Sequence, residues 1–252
     1  MKATETSVAF THSRVYSVLV FSKRSTEPER IDTGDYTPDE YATFLREIRF
    51  INRYLGDTRA LRKSLLHLVE REDMREFSVL DVACGSGELL RQIAKFARSE
   101  RRAACLTGID LNELSFTETK RDTERFPEIA YVRGDAFHMP FADDSFDFAI
   151  SSLFFHHLKD EQIPSVLFEM SRVARRRVFI IDLHRHTMAY ALYKLFCLGF
   201  RISPLVTQDG SLSILKGFRP GELDKIASRS DMITRRVSPF RLVVEVAPAH
   251  EV

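Results

Sequence analysis

The run Val79-Leu80-Asp81-Val82-Ala83-Cys84-Gly85-Ser86-Gly87-Glu88-Leu89-Leu90 passes from an apolar strand pattern through two glycines into a helical one. Glycines at 85 and 87 remove side chains where the chain turns tightly, and the N–H groups of the following helix then face a ligand at the carboxyl edge of a sheet. A nucleotide-like cofactor suits that edge, although a Gly-x-Gly turn can also be purely structural. Leu106-Thr107-Gly108-Ile109-Asp110-Leu111 ends in a second acidic residue. Its offset from the glycine turn is close to the roughly 20 residues expected of a carboxylate that holds ribose hydroxyls. Arg133-Gly134-Asp135-Ala136 and Ser151-Ser152 end two more apolar runs, so four successive strand ends carry polar groups. His156 and His157 follow the fourth, where either could act as a general base or be an ordinary polar loop residue. His138, His184 and His186 are further candidates with less support from position.

These groups require a scaffold in which strands alternate with helices. Ser78 to Cys84, Leu106 to Leu111, Ile129 to Arg133, Phe146 to Ser152 and Arg177 to Leu183 read as five strands. Helices fill the gaps: Gly87 to Arg98 places Leu90, Ile93, Ala94 and Ala97 on one face, and Asp160 to Ala174 does so with Ile163, Val166, Leu167, Met170 and Val173. Such alternation predicts βαβ units around a parallel sheet. After His186 the pattern gives a helix to about Gly199, a looser stretch to Gly217, and a short helix near Pro220 to Ala227. Strands near Ile233 to Val237 and Arg241 to Val246 are joined by Ser238-Pro239-Phe240, too short for a crossover, and should form an antiparallel hairpin. Upstream, Thr37-Pro38-Asp39-Glu40 is a capping box with proline at the first helical position. It opens a helix whose Tyr41, Phe44, Leu45, Ile48, Ile51 and Leu55 share a face and which Gly56 should stop. A second helix should run from about Thr58 to Glu70, and the first 35 residues read as an irregular arm.

The glycine turn, the acidic end of the second strand, the Gly134-Asp135-Ala136 triplet and the final hairpin together resemble the class I S-adenosylmethionine-dependent methyltransferases. The likeness covers roughly residues 60 to 250. It implies a Rossmann-like, doubly wound seven-stranded α/β sheet, mostly parallel, with a terminal antiparallel hairpin and an N-terminal helical extension. It places Asp81 near the methionine amino group, with Ala83, Gly85, Ser86 and Gly87 forming the adjoining turn; Ala83 stands where the pattern has its first glycine. Asp110 would hold the ribose and Leu111 would pack on adenine, with Asp135, Ala136 and Phe137 at the ring's edge and Ser151 beside the methionine portion. An NAD-binding Rossmann protein is the rival, but Leu90 stands where that fingerprint wants a third glycine. The stretch Met139-Pro140-Phe141-Ala142-Asp143-Asp144-Ser145-Phe146-Asp147 resembles the small-molecule branch that includes ubiquinone and menaquinone C-methyltransferases.

Two regions follow: an arm and helical lid over 1–60 and the methyltransferase-like domain over 61–252. The expected activity is transfer of a methyl group from S-adenosyl-L-methionine to oxygen or carbon of a small aromatic, quinone-like or polyketide-like acceptor. A cofactor-binding module acting through a partner protein is the alternative. The acceptor should be apolar or aromatic, with Met139, Phe154, Phe155, the Tyr41 to Leu55 helix and parts of Met188 to Phe200 as lining. The chain has 252 residues with 37 Lys plus Arg against 36 Asp plus Glu, which disfavours a nucleic-acid coat. The cluster Arg172, Arg175, Arg176 and Arg177 reads as a solvated helix end. No Cys/His spacing matches a zinc site, so no metal is expected. Cys84, Cys105 and Cys197 read as small core residues in a reducing compartment, hence cytoplasmic, and the apolar stretch Met188 to Phe200 is short of the roughly 20 residues of a bilayer span.

Overall fold

A computed structural model describes residues 21–54, 57–112 and 125–248, except for the side chains at 45, 49 and 52–54. The first 20 residues of the arm, and the expected helix stop at Leu55 and Gly56, lie outside the described residues. The elements are α1 (Arg30–Thr33), α2 (Pro38–Tyr54), α3 (Asp57–Arg62), α4 (Leu65–Arg71), β1 (Glu76–Val82), α5 (Glu88–Ser99), β2 (Ala103–Asp110), β3 (Ile129–Arg133) and β4 (Phe146–Ser152). They continue with α6 (Ile163–Val173), β5 (Ala174–Leu183), α7 (Thr187–Phe200), α8 (Pro204–Lys216), α9 (Glu222–Ala227), β6 (Ile233–Val237) and β7 (Arg241–Val246).

The described strands form one sheet in the order β3-β2-β1-β4-β5-β7-β6. The first five in that order run parallel, whereas β7 is antiparallel to both β5 and β6. This is the mostly parallel α/β sheet with an antiparallel hairpin that the sequence predicts. Period-two alternation sorts the side chains: Phe77 and Val79 of β1 enter one apolar layer with α4 and α5, while Leu80 and Val82 enter the other with α6. The strand order reverses between β1 and β4, and at such a switch point a crevice opens at the carboxyl ends of the strands. A third apolar cluster, with Ile51 of α2, Ala189, Tyr193 and Cys197 of α7, and Val206 and Ile214 of α8, stands apart from both sheet layers.

The α2 start follows its sequence signature. Thr37 N donates to Glu40 Oε2 at 2.8 Å and Glu40 N to Thr37 Oγ1 at 3.2 Å, closing the capping box. Four expectations change. The helix expected near 58 to 70 is two, α3 and α4, with a break at which the Ser64 hydroxyl donates back to the Ala60 carbonyl at 2.8 Å and competes with the helical ladder. The expected loose stretch before Gly217 is largely the helix α8. Its amino terminus is held by Glu47, which accepts from Ser203 N at 3.0 Å, and Asp209 within it accepts from the N–H groups of Arg30 and Ile31, both at 2.9 Å. The strand β5 begins at Ala174, so Arg175 to Arg177 lie on a strand and pair with Asp147, Glu72 and Glu245 rather than forming a free helix end. Cys105 is exposed near the start of β2, whereas Cys84 is half-buried and Cys197 buried.

Candidate functional site

A cavity of about 740 Å³ lies at the crevice. The β1–α5 turn contributes Asp81, Ala83, Cys84, Gly85, Ser86 and Glu88 to its wall. Apolar lining comes from α2, with Tyr41, Phe44, Ile48 and Ile51, and from α7, with Ala189, Leu192, Tyr193 and Phe196. His156 and His157 lie in the wall with Ser152, Leu153, His184 and Phe240. Of the residues the sequence singles out, Asp81, Ala83, Gly85, Ser86, His156 and His157 therefore share this cavity. Gly87, Asp110, Leu111, Asp135, Ala136, Phe137 and Ser151 are outside its wall.

Each of these is accounted for locally. Gly87 caps α5 at φ +70, and a Cβ there would stand 2.1 Å from the Tyr131 hydroxyl. Asp110, at the end of β2, accepts from Gly85 N and from Asn112 N, both at 2.8 Å, and so ties the glycine turn to the neighbouring strand. Leu111 is exposed beside it. Asp135 accepts from Phe137 N at 2.9 Å, forming a local turn, while Ala136 and Phe137 pack against the core. Ser151 is fully buried, donating to the Val82 carbonyl at 2.9 Å, so it braces β4 on β1 and its neighbour Ser152 takes the place in the wall. Phe155 and Met139 are core residues and Phe154 packs against them, rather than lining the cavity as expected. His138 pairs loosely with Asp135 at the surface, and His186 caps α7 by accepting from Met188 N at 3.1 Å.

Three of the eight non-glycine residues with positive φ among the described residues lie here. Ala83, Leu153 and Phe240, all in the cavity wall, have φ of +57, +54 and +50, a region that L-residues enter at a cost of roughly 1–2 kcal/mol each. Gly85, at φ +51, adopts the same region without that cost.

The electrostatics divide the cavity. Asp81 is buried, and no cation among the described residues pairs with it; burial, and secondarily the Asp110 charge, push its carboxyl well above the usual carboxylate range. Burial likewise raises the Cys84 thiol, which keeps it from acting as a thiolate nucleophile. In the same cavity wall, His156 Nδ1 lies 2.8 Å from Asp182 Oδ1, and His156 N donates to Asp182 Oδ2 at 3.1 Å. Burial lowers His156 below its ordinary value despite that carboxylate, while Asp182 is lowered overall because the His156 interactions outweigh its own burial. A carboxylate only accepts, so Nδ1 carries the proton and Nε2 keeps the lone pair. His184 is pushed down to about 4, mainly by burial and then by neighbouring cations.

His157 is arranged differently. Its Nδ1 stands 3.4 Å from Asp32 and 3.9 Å from Glu29; burial alone would lower it, but those two carboxylates raise it above its ordinary value. Glu29, His156 and His157 each bring a potential metal-ligating atom within 4.8 Å of the others. Lys216 Nζ, however, is 3.2 Å from Glu29 and 3.8 Å from Asp32, so an ammonium already supplies the positive charge a divalent ion would bring.

Several functional-site residues escape sequence reasoning. Asp182 sits inside the apolar β5 run, Arg24 reaches from the arm to the His156 and Leu158 carbonyls at 3.2 and 3.1 Å, and Arg241 of β7 forms a buried pair with Asp57 in the cavity wall. Only the strand-end position of Asp182, shared with Asp110, signals any of them beforehand.

Residues 79–177 match the sequence profile of a family described as a methyltransferase domain. A 2-phytyl-1,4-naphtoquinone methyltransferase of Nostoc punctiforme is 33% identical over 113 residues, 43% of this chain and 47% of the relative. A demethylmenaquinone methyltransferase of Staphylococcus aureus is 28% identical over 48% of this chain and 49% of its own length. The chain thus spans about half the length of the curated relatives it matches. Among solved structures, magnesium protoporphyrin IX methyltransferase of Synechocystis with bound SAH superposes with a TM-score of 0.54 at 15% identity, over 76% of this chain and 83% of that one. A TehB-like SAM-dependent methyltransferase of Corynebacterium glutamicum gives 0.53 at 16% identity, over 84% and 100%. At these identities the two structures speak to the fold.

Proposed function

We propose that the chain carries a class I methyltransferase domain and moves a methyl group from S-adenosylmethionine to oxygen or carbon of a small aromatic, quinol-like acceptor. The observation that carries this reading is the pairing, in one cavity, of an uncompensated buried carboxylate at a glycine turn with a neutral, carboxylate-oriented histidine. The residues present fit the cofactor. Asp81 offers a buried carboxyl whose ionised form an ammonium group would stabilise, Gly85 and Ser86 leave the turn open, and Asp110 retains free lone pairs for two hydroxyls beyond those used on Gly85 and Asn112. When bound, the cofactor supplies a methyl group already activated on a sulfonium.

The chain's own residues then have two tasks: to align the acceptor and to accept its proton. In-line alignment in a site shielded from water provides most of the acceleration available to such a transfer. The wall contributed by α2 and α7 performs that alignment for an apolar ring. His156 Nε2 takes the proton of a phenolic or quinol hydroxyl as the acceptor becomes nucleophilic, and Asp182 holds the ring in the required tautomer and stabilises the imidazolium that results. His157, paired with Asp32, stays outside this role and links the turn to the arm. The named acceptors of the quinone-methylating relatives, which are lipid-soluble aromatics, support an acceptor of that class.

Calorimetry with S-adenosylhomocysteine tests the cofactor half. Micromolar binding to the wild type, lost in Asp110→Ala and absent for NAD, is the expected result. A well-folded protein that binds NAD and not S-adenosylhomocysteine overturns the reading. Turnover on a panel of phenols and quinols, lost in His156→Ala with cofactor binding intact, tests the acceptor half.

A further inference from the structure

α7 presents a second apolar face that no described part of the molecule covers. Met188, Ala191, Leu192, Leu195, Leu198 and Gly199 fall on one side of the helix at i, i+3, i+4, i+7, i+10 and i+11, and all are exposed; Leu195 is 63% and Leu198 76% accessible. Scattered exposed leucines are ordinary, but a continuous apolar face on one helix marks an interaction surface. Its borders identify the partner. On one flank stands Lys194, and Arg201 follows the helix end; α7 contains no acidic residue, so both charges that α7 itself brings to the border of the face are positive. On the other flank the face continues into the cavity, because Leu192 is both 48% exposed and part of the cavity wall beside Ala189 and Phe196.

We infer that α7 lies on an anionic lipid surface and that the acceptor enters the cavity from that surface past Leu192. The inference rests on the proposed lipid-soluble acceptor: a molecule with an apolar tail resides in a bilayer, and a helix lying in the interface with its apolar face down and its cations toward the headgroups brings the cavity rim to it. A protein seated on the same face would instead cover the rim. Among the described residues no helix is long and apolar enough to cross a membrane.

The test uses the full chain with vesicles of phosphatidylcholine alone and with one-third phosphatidylglycerol, read by co-flotation. The wild type is expected to float with the anionic vesicles, and the Leu195→Asp/Leu198→Asp variant to lose at least tenfold in partitioning. That variant should keep its Tm, its binding of S-adenosylhomocysteine and its turnover of a water-soluble phenol, since neither residue lines the cavity. Lys194→Gln should weaken flotation on anionic vesicles without altering the weak binding to neutral ones. Absence of flotation overturns the inference even if turnover is normal. So does a wild-type dimer that the variant converts to monomer, or a Tm lowered by several degrees in both Leu195→Asp and Leu195→Ser, each of which would show protein covering the face. Because flotation needs neither cofactor nor turnover, it stands or falls separately from the enzymatic reading.

Discussion

At the scale of single residues, Ala83 and the His156–Asp182 pair are the informative positions. Ala83 occupies a left-handed conformation that a glycine would adopt freely. Relief of roughly 1–2 kcal/mol of strain, offset by about 0.5–1 kcal/mol from the looser unfolded chain, leaves a net gain of about 0.5–1 kcal/mol for Ala83→Gly. Thermal unfolding should show a Tm higher by roughly 1–4 °C. For His156 the direction of its shift sets the pH profile. Since burial holds it below 6.5, the acid limb of kcat should fall below that value, and base catalysis should persist into mildly acidic buffer. Asp182→Asn removes the charge that partly offsets burial and also releases the tautomer. It should lower kcat by about 100-fold or more and displace the acid limb further downward, with S-adenosylhomocysteine affinity unchanged; an unmoved limb would leave Asp182 a merely structural residue. The placement of Asp81, Gly85 and Asp110 at strand ends and in the turn was legible in the sequence because a glycine turn and strand ends announce themselves locally. Asp182 was not: its partner lies on the 3-10 turn at Phe155–His157, far from it in sequence, and only parallel pairing of β4 with β5 brings the two together.

At the scale of elements, α2 is the part of the cavity most readily altered without touching the β1–α5 turn. Thr37→Ala opens its capping box, a loss of about 1 kcal/mol. If α2 closes over the acceptor, the KM of the acceptor should rise by about fivefold while cofactor affinity, measured by calorimetry, shifts less than twofold. The strands and most helices could be read from periodicity because each carries its own apolar pattern. α8 could not. Its sequence, with Thr207, Asp209, Gly210, Ser211 and Ser213, has weak intrinsic helix propensity. It is held by partners remote in the chain: Glu47 at its start and the Tyr193 ring, whose hydroxyl donates to Val206 O at 2.7 Å and lies where a side chain on Gly210 would stand. Propensity was overruled there by packing, and the arm that fastens Arg24, Glu29 and Asp32 around the histidine turn was unreadable for the same reason.

For the molecule as a whole, positive and negative charges nearly balance, and stabilisation by ligand should come from local complementarity. At a hundredfold excess over Kd, S-adenosylhomocysteine should add about 2.7 kcal/mol, a Tm increase of roughly 5–10 °C for a chain of this size. Asp81→Asn should abolish most of that increase. The same substitution should raise the Tm of the protein alone, because a carboxyl whose folded value is raised loses stability as pH climbs past its unfolded value of about 3.9, and the amide does not. Differential scanning at pH 5 and pH 8 would show the gain growing with pH.

The placement of β7 has a consequence for how the molecule comes into being. The hairpin strand made last is not at the sheet's edge: β7 lies between β5 and β6, and β6, although synthesised first, reaches the sheet only through it. Until residues 241–246 have emerged from the ribosome, β5 therefore exposes an unpaired apolar edge, the feature through which nascent chains adhere to one another. The glycine turn and the strands that carry Asp81 and Asp110 are complete more than a hundred residues earlier. Arg241, which pairs with Asp57 in the cavity wall, arrives only with β7. A nascent chain would thus possess its glycine turn well before the wall of the cavity is complete, and its exposed β5 edge would be a point of contact for a chaperone during that interval.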